Sequence, residues 1–152
     1  MNIRVCTIDK RGKKGLYEPL IEHYIKIAKP FAKIEVVDIF SNSIAKAQES
    51  SPELAKVEYA KALQPYCNQF SVVLDPNAKE VDSIEFSKIF QKSPNINFFI
   101  GGAYGFNESF VKSANLSVSF GKITLSHKLV KVLLLEQIYR GLTIINNHPY
   151  HK

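Results

Sequence analysis

The sequence predicts an α/β fold: a parallel sheet with helices on both faces. Three observations lead there. Four short runs, IRVCTID (3–9), KIEVVDIF (33–40), FSVVLD (70–75) and INFFIG (96–101), are rich in β-branched and aromatic residues. Between them lie stretches that favour helix or carry apolar residues at helical spacing. The runs are also close to continuously apolar, as expected of strands covered on both sides.

Taken in order, the first strand gives way to a polar, glycine-containing loop and then to the helix LYEPLIEHYIKIAK (16–29), which Pro30 stops. The second strand is followed by SNS, read as a polar connection. In SSPELAKVEYAKALQPYC, Ser50 with Glu53 offers a capping box, Pro52 suits a first helical turn, and the helix runs up to Pro65. The third strand ends at the turn PNAK, and residues 81–91 form a weaker helix. The fourth strand breaks at GGAYG. Asn107 caps a short helix NESFVKSA, an extended stretch runs to about Leu125, and Ser126 caps the long helix HKLVKVLLLEQIYRGLTII, apolar on most of its circumference.

The 152 residues fit one ordinary domain, 1–152, with no internal repeat, linker or low-complexity segment. No segment reaches the ~18 uninterrupted apolar residues of a membrane span. The start has its charges after the apolar run, unlike a signal peptide, so the expected location is cytoplasmic. Cys6 and Cys67 share no metal-ligand spacing and are read as reduced thiols, and no metal site is expected. The formal net charge is +6, compatible with a polyanionic partner. It is concentrated at the ends: Arg4, Lys10, Arg11, Lys13 and Lys14 face only Asp9 in the first fifteen positions, and from Ser109 onward six basic residues face only Glu136.

In parallel sheets ligands bind beyond the carboxyl ends of strands, which singles out DPNAK, GGAYGF and SFGKITLSH. The glycines at 101, 102 and 105 do not make a dinucleotide fingerprint or a P-loop. They read either as a tight turn or as backbone left bare for a ligand. His127, beside the helix cap, is either a plain first-turn residue or a neutral base favoured by the helix dipole. Arg140 interrupts an apolar stretch. It either pairs with Glu136 four residues earlier or turns its planar fork toward a carbonyl or phosphate near the tail NNHPYHK (146–152). The tail itself is by default a solvated end.

The run FFIGGAYGF, then VSFGKITLSHKLVKVLLLEQIYRGLTIINNHPYHK, resembles the SPOUT-class methyltransferases, and among them the small bacterial family acting on N3 of a pseudouridine in 23S ribosomal RNA. The similarity spans nearly the whole length; the most specific part joins L-x-E-Q-x-Y-R to H-P-Y-H-K. The resemblance implies a SPOUT-type sheet with a C-terminal trefoil knot, a homodimer whose active site the partner subunit completes, and S-adenosylmethionine as cofactor. By position, Leu74, Gly101, Gly102, Phe120, Gly121, Lys122, Ile123, Thr124 and Leu125 would wrap that cofactor, and His127, Arg140, Tyr150 and His151 would lie toward the RNA base. Three positions depart from the family pattern: Ala78 where a glycine is usual, Tyr104 where a polar residue is usual, and Ser126 where proline is common. These bear on loop shape.

The expected reaction is methyl transfer to N3 of a pseudouridine in ribosomal RNA or the ribosome, with no metal. Arg140 would stabilise a developing oxyanion or position RNA, and a C-terminal histidine or tyrosine would hold or deprotonate the base, with no single residue assigned as that base. Two other classes fit the composition: a non-catalytic basic RNA-binding or ribosome-assembly factor, and a nucleotide-binding α/β enzyme, for which no phosphate motif is present.

Overall fold

The computed structural model describes residues 1–10 and 15–152; Arg11, Lys13 and Lys14 of the basic start lie outside the described residues. Five parallel strands, β1 (Asn2–Ile8), β2 (Lys33–Ile39), β3 (Phe70–Glu80), β4 (Asn95–Ile100) and β5 (Leu116–Ser119), form one sheet in the order β2-β1-β4-β3-β5. Successive side chains alternate faces. Ile3, Val5, Val72, Ile96 and Phe98 point to one side, where α1 (Glu18–Ala28), α4 (Ser83–Ser87) and α6 (His127–Ile145) cover them. Cys6, Ile8, Val73 and Phe99 point to the other, under α2 (Asn42–Ser50), α3 (Pro52–Leu63) and α5 (Glu108–Ser113). The chain leaves β1 on the first face and β4 on the second, so crossovers diverge at the β1/β4 boundary.

The parallel α/β class and the helix caps at Asn107 and Ser126 are as expected: each side chain accepts from the backbone N–H three residues on. Four expectations are corrected. SNS is not a connection, because Ser41 caps α2 through the Ile44 N–H. The cap of α3 is Ser51 rather than Ser50, with Pro52 at the first helical position. PNAK interrupts β3 rather than ending it: Leu74 and Lys79 both face Val118 of β5, residues 75–78 are left out of the ladder with the Asn77 N–H bonded to Asp75 Oδ1, and the strand resumes to Glu80. The extended stretch before α6 contains a real edge strand, β5, and then a loop over 120–126. The helix expected over 81–91 is α4 followed by a 3₁₀ turn, Lys88–Gln91.

α6 positions both halves of the candidate site. Gly141 lets it lie directly on Phe90: a Cβ there would run into the ring. It ends in a Schellman motif, in which Asn147 takes a left-handed φ of 54° and the His148 and Asn147 N–H groups bond back to the Thr143 and Ile144 carbonyls. The tail is thereby turned back along the helix instead of running into solvent.

Candidate functional site

The carboxyl ends of β3, β4 and β5 open onto a cleft of about 990 Å³. Every residue the sequence placed around a cofactor lines it: Leu74, Gly101, Gly102 and Phe120 through Leu125. Its walls mix apolar side chains with Asp75 and Asn77, from the DPNAK stretch already singled out, and with Lys56 and Glu80, which the sequence reading had not singled out. Asp75 and Asn77 carried one signal, their place in a polar stretch after an apolar strand; Lys56 sits on a helix and gave none.

The glycines play a different part from the one their position suggests. A Cβ on Gly102 would sit 2.7 Å from the ring carbon and hydroxyl of Tyr59, which is fully buried and accepts a hydrogen bond from Gln48 Nε2 at 2.5 Å. On Gly101 it would meet the Gly105 backbone at 3.0 Å, where Gly105 turns back at φ 69° to bridge Gly102. The space beside both residues is therefore filled by protein. Their backbones, not vacant side-chain positions, are what the cleft receives. Gly121 is the opposite case: φ is 118° and nothing lies within 4 Å of a Cβ.

His127 also lines the cleft, at the first turn of α6. Its Nε2 is buried, 3.1 Å from Asp9 Oδ1. Asp9, just past the end of β1 and only 6% exposed, takes Lys128 Nζ on both oxygens at 2.8 and 3.0 Å and has Lys131 Nζ at 3.4 Å. Lys131 is 3% exposed and is held at 2.5 Å by Asp38 from β2. Burial alone would raise the Asp9 pKa, but the contacts from Lys128 and His127 and the charge of Lys131 outweigh it, and the carboxyl lies below the usual range. The apolar pattern around Lys131 concealed this buried pairing from the sequence reading.

At the other end of α6, Glu136 gathers the second group. Arg140 donates to its Oε1 from Nε at 2.9 Å and from Nη2 at 2.5 Å, and the Tyr150 hydroxyl donates to the same oxygen at 3.1 Å. The guanidinium stacks 4.7 Å from the Tyr150 ring centre, and its Nη1 lies 3.3 Å from His151 Nδ1. Burial, reinforced by Glu136, pushes the Tyr150 phenol up to about 12. Tyr150 also packs edge-on against Tyr139, and His148 edge-on against Phe31. Tyr150 and His151 are thus tied to the core, while Asn146 through Pro149 and Lys152 stay exposed.

Arg140, Tyr150 and His151 are brought together; His127 is not with them. It stands thirteen residues earlier on α6, roughly 20 Å away at the helical rise, and none of the three lines the cleft. Among the described residues no group of three or more His, Cys, Asp or Glu side chains could hold a metal ion, and no helix is long and apolar enough to cross a membrane.

Residues 1–151 match the family model described as "Predicted SPOUT methyltransferase". The chain is 61% identical to the ribosomal RNA large subunit methyltransferase H of Sulfurovum sp. (strain NBC37-1) and 48% identical to that of Wolinella succinogenes, in each case over the full length of both chains. It is 42% identical to the protein of the same name from Campylobacter lari, again over both full lengths.

Proposed function

The chain belongs to the SPOUT methyltransferase family, and from that premise we propose that it transfers a methyl group from S-adenosylmethionine to N3 of a pseudouridine in 23S ribosomal RNA, as a cytoplasmic homodimer of single 1–152 domains, each closed by a C-terminal trefoil knot. The observation that carries the cofactor half is the cleft itself. Its walls are the exposed backbone at Gly101 and Gly102, apolar side chains such as Leu74 and Phe120 that suit a flat purine, and the carboxylates of Asp75 and Glu80 that suit a cationic donor. When bound, the cofactor supplies an already activated sulfonium methyl.

The chain's own residues then have three tasks. The 120–125 loop and the Gly-Gly backbone hold the donor and keep water from it. Arg140, fixed by Glu136 but with Nη1 turned to His151, offers charge to a carbonyl flanking N3 as the N3 proton leaves. Tyr150 and His151 give the base a stacking face and polar contacts. The gap of roughly 20 Å along α6 supports the dimer: with cleft and cationic tail too far apart in one chain, a second copy brings its tail to the first copy's cleft. The basic ends suit an RNA backbone.

Two measurements test the reading together. Calorimetric titration with S-adenosylmethionine should show one site per chain, and labelled methyl should pass to N3 of a pseudouridine in free 23S RNA, large subunits or assembled ribosomes lacking that methyl. Absence of heat with the cofactor, alongside tight RNA binding, would leave the non-catalytic RNA-binding reading in its place.

A further inference from the structure

The ion cluster at the start of α6 does more than fasten a helix. Asp9 and Asp38 carry two negative charges, Lys128 and Lys131 two positive, and the four are linked by contacts of 2.5 to 3.4 Å. The set is electrically balanced when His127 is neutral. The cleft's other charged side chains, Lys56, Lys122, Asp75 and Glu80, balance one another in number.

The ring nitrogens of His127 are not equivalent. Nε2 is buried and makes no well-aligned hydrogen bond, the polar atom beside it being Asp9 Oδ1 at 3.1 Å, while the residue lines the cleft. A carboxylate with two lysines on its flanks offers this nitrogen only an acceptor, so the neutral ring carries its hydrogen on Nε2. Nδ1 is then the nitrogen with a free lone pair.

We propose that Asp9 is a positioning residue for the methyl-transfer cleft: it fixes His127 as the neutral Nε2–H tautomer and thereby presents an Nδ1 lone pair to whatever base enters. The role rests on the methyltransferase reading for its use in catalysis, but the tautomer stands independently of it. An asparagine at position 9 has the same shape and lacks this polarity. Its carbonyl oxygen is taken by the lysines, its NH2 faces Nε2, and the ring hydrogen moves to Nδ1.

The experiment is ¹⁵N NMR of histidine-labelled protein at about pH 8, above the ordinary histidine range, with His127 assigned from a His127→Asn sample. The wild-type spectrum should show a protonated Nε2 and a lone pair on Nδ1; the reverse pattern overturns the proposal without any variant. Asp9→Asn should switch the tautomer and lower the single-turnover rate about 10-fold or more, as loss of a partner that orients an imidazole does, with S-adenosylmethionine affinity unchanged. Asp9→Glu, which keeps the carboxylate, should keep the wild-type tautomer, and it stands in if Asp9→Asn does not fold. Asp38→Asn, which cuts the same cluster away from His127, should lower the melting temperature and leave tautomer and rate alone. A folded Asp9→Asn protein with the wild-type tautomer, or an Asp38→Asn protein with a switched one, would reduce Asp9 to a structural anchor. Failure of the wild-type protein to methylate RNA would instead count against the enzymatic reading, leaving the spectra to decide the role of Asp9.

Discussion

The two ends of α6 are built on opposite plans. At its start the helix meets a cleft made largely of backbone and loop, and its charges are neutralised inward, lysine against aspartate, beneath the surface. At its end a single carboxylate, Glu136, holds a guanidinium, a phenol and, through them, a histidine on a partly open surface. The first arrangement suits a small ligand that must be enclosed. The second suits a large, flat, polar one that must be touched on one side. The difference teaches that the two groups of residues lie apart on one chain, which is why the proposed reaction calls for a second copy.

The largest effect should come from separating the two ends genetically. Arg140→Ala removes the tail cluster's cation, and Gly121→Val puts a branched side chain where φ is 118°, distorting the 120–125 loop of the cleft without a clash in the core. Each alone should be nearly inactive. Mixed dimers of the two have one wild-type cleft facing one wild-type tail and should recover about a quarter of wild-type activity after random exchange, as two-fold symmetry requires. No recovery in verified mixed dimers would mean that each chain uses its own tail.

Smaller, and confined to one end, is Arg140→Lys. The charge survives but the fork that reaches Glu136 and His151 together does not, so kcat should fall on the order of 100-fold, the scale of losing one oxyanion donor, with cofactor affinity unchanged. A loss of only a few-fold would make Arg140 a phosphate contact.

Much of this was legible in the sequence where short-range chemistry decides. Asn107 and Ser126 announced their helices because a capping side chain acts within three residues. Ser41 was missed because SNS also satisfies the composition of a loop, and only the burial of Ile44 and Ala47 makes the following segment a helix. β5 was read only as part of an extended stretch up to about Leu125, since four residues carry little periodicity. The residues expected around a cofactor, which line the cleft, were visible through family resemblance, not through periodicity. The reason for the Gly-Gly pair was not visible at all, because Tyr59, which fills the space beside Gly102, lies over forty residues away and on a helix of the opposite face. Asp9 was likewise hidden, its partners lying about 120 residues on.

That account of Gly102 gives the third test. Gly102→Ala should cost about 1–3 kcal/mol of stability by overpacking against Tyr59, a drop of several degrees in melting temperature. Shrinking the neighbour in a Tyr59→Leu, Gly102→Ala double variant should return part of it. If Gly102→Ala instead melts like the wild type and loses only cofactor affinity, the glycine serves the ligand and not the core.

The smallest effect separates the two ends by pH. Asp9 has a folded pKa below its unfolded value of about 3.9. Its contribution is therefore complete above that value and lost as pH falls through the lower folded one. Tyr150 has a folded pKa raised to about 12 against about 10 unfolded. The folded state there holds its proton longer, so its contribution is complete below about pH 10 and declines as pH rises toward 12. The start of α6 should accordingly loosen in acid and its end in alkali. Denaturation midpoints followed below pH 5 and above pH 9 should show Asp9→Asn flattening only the acid limb and Tyr150→Phe only the alkaline one. Because Tyr150 is partly exposed, its limb should be the shallower. If either variant flattened both limbs, the two clusters would be one coupled network, and the division of α6 into an enclosing end and a touching end would be wrong.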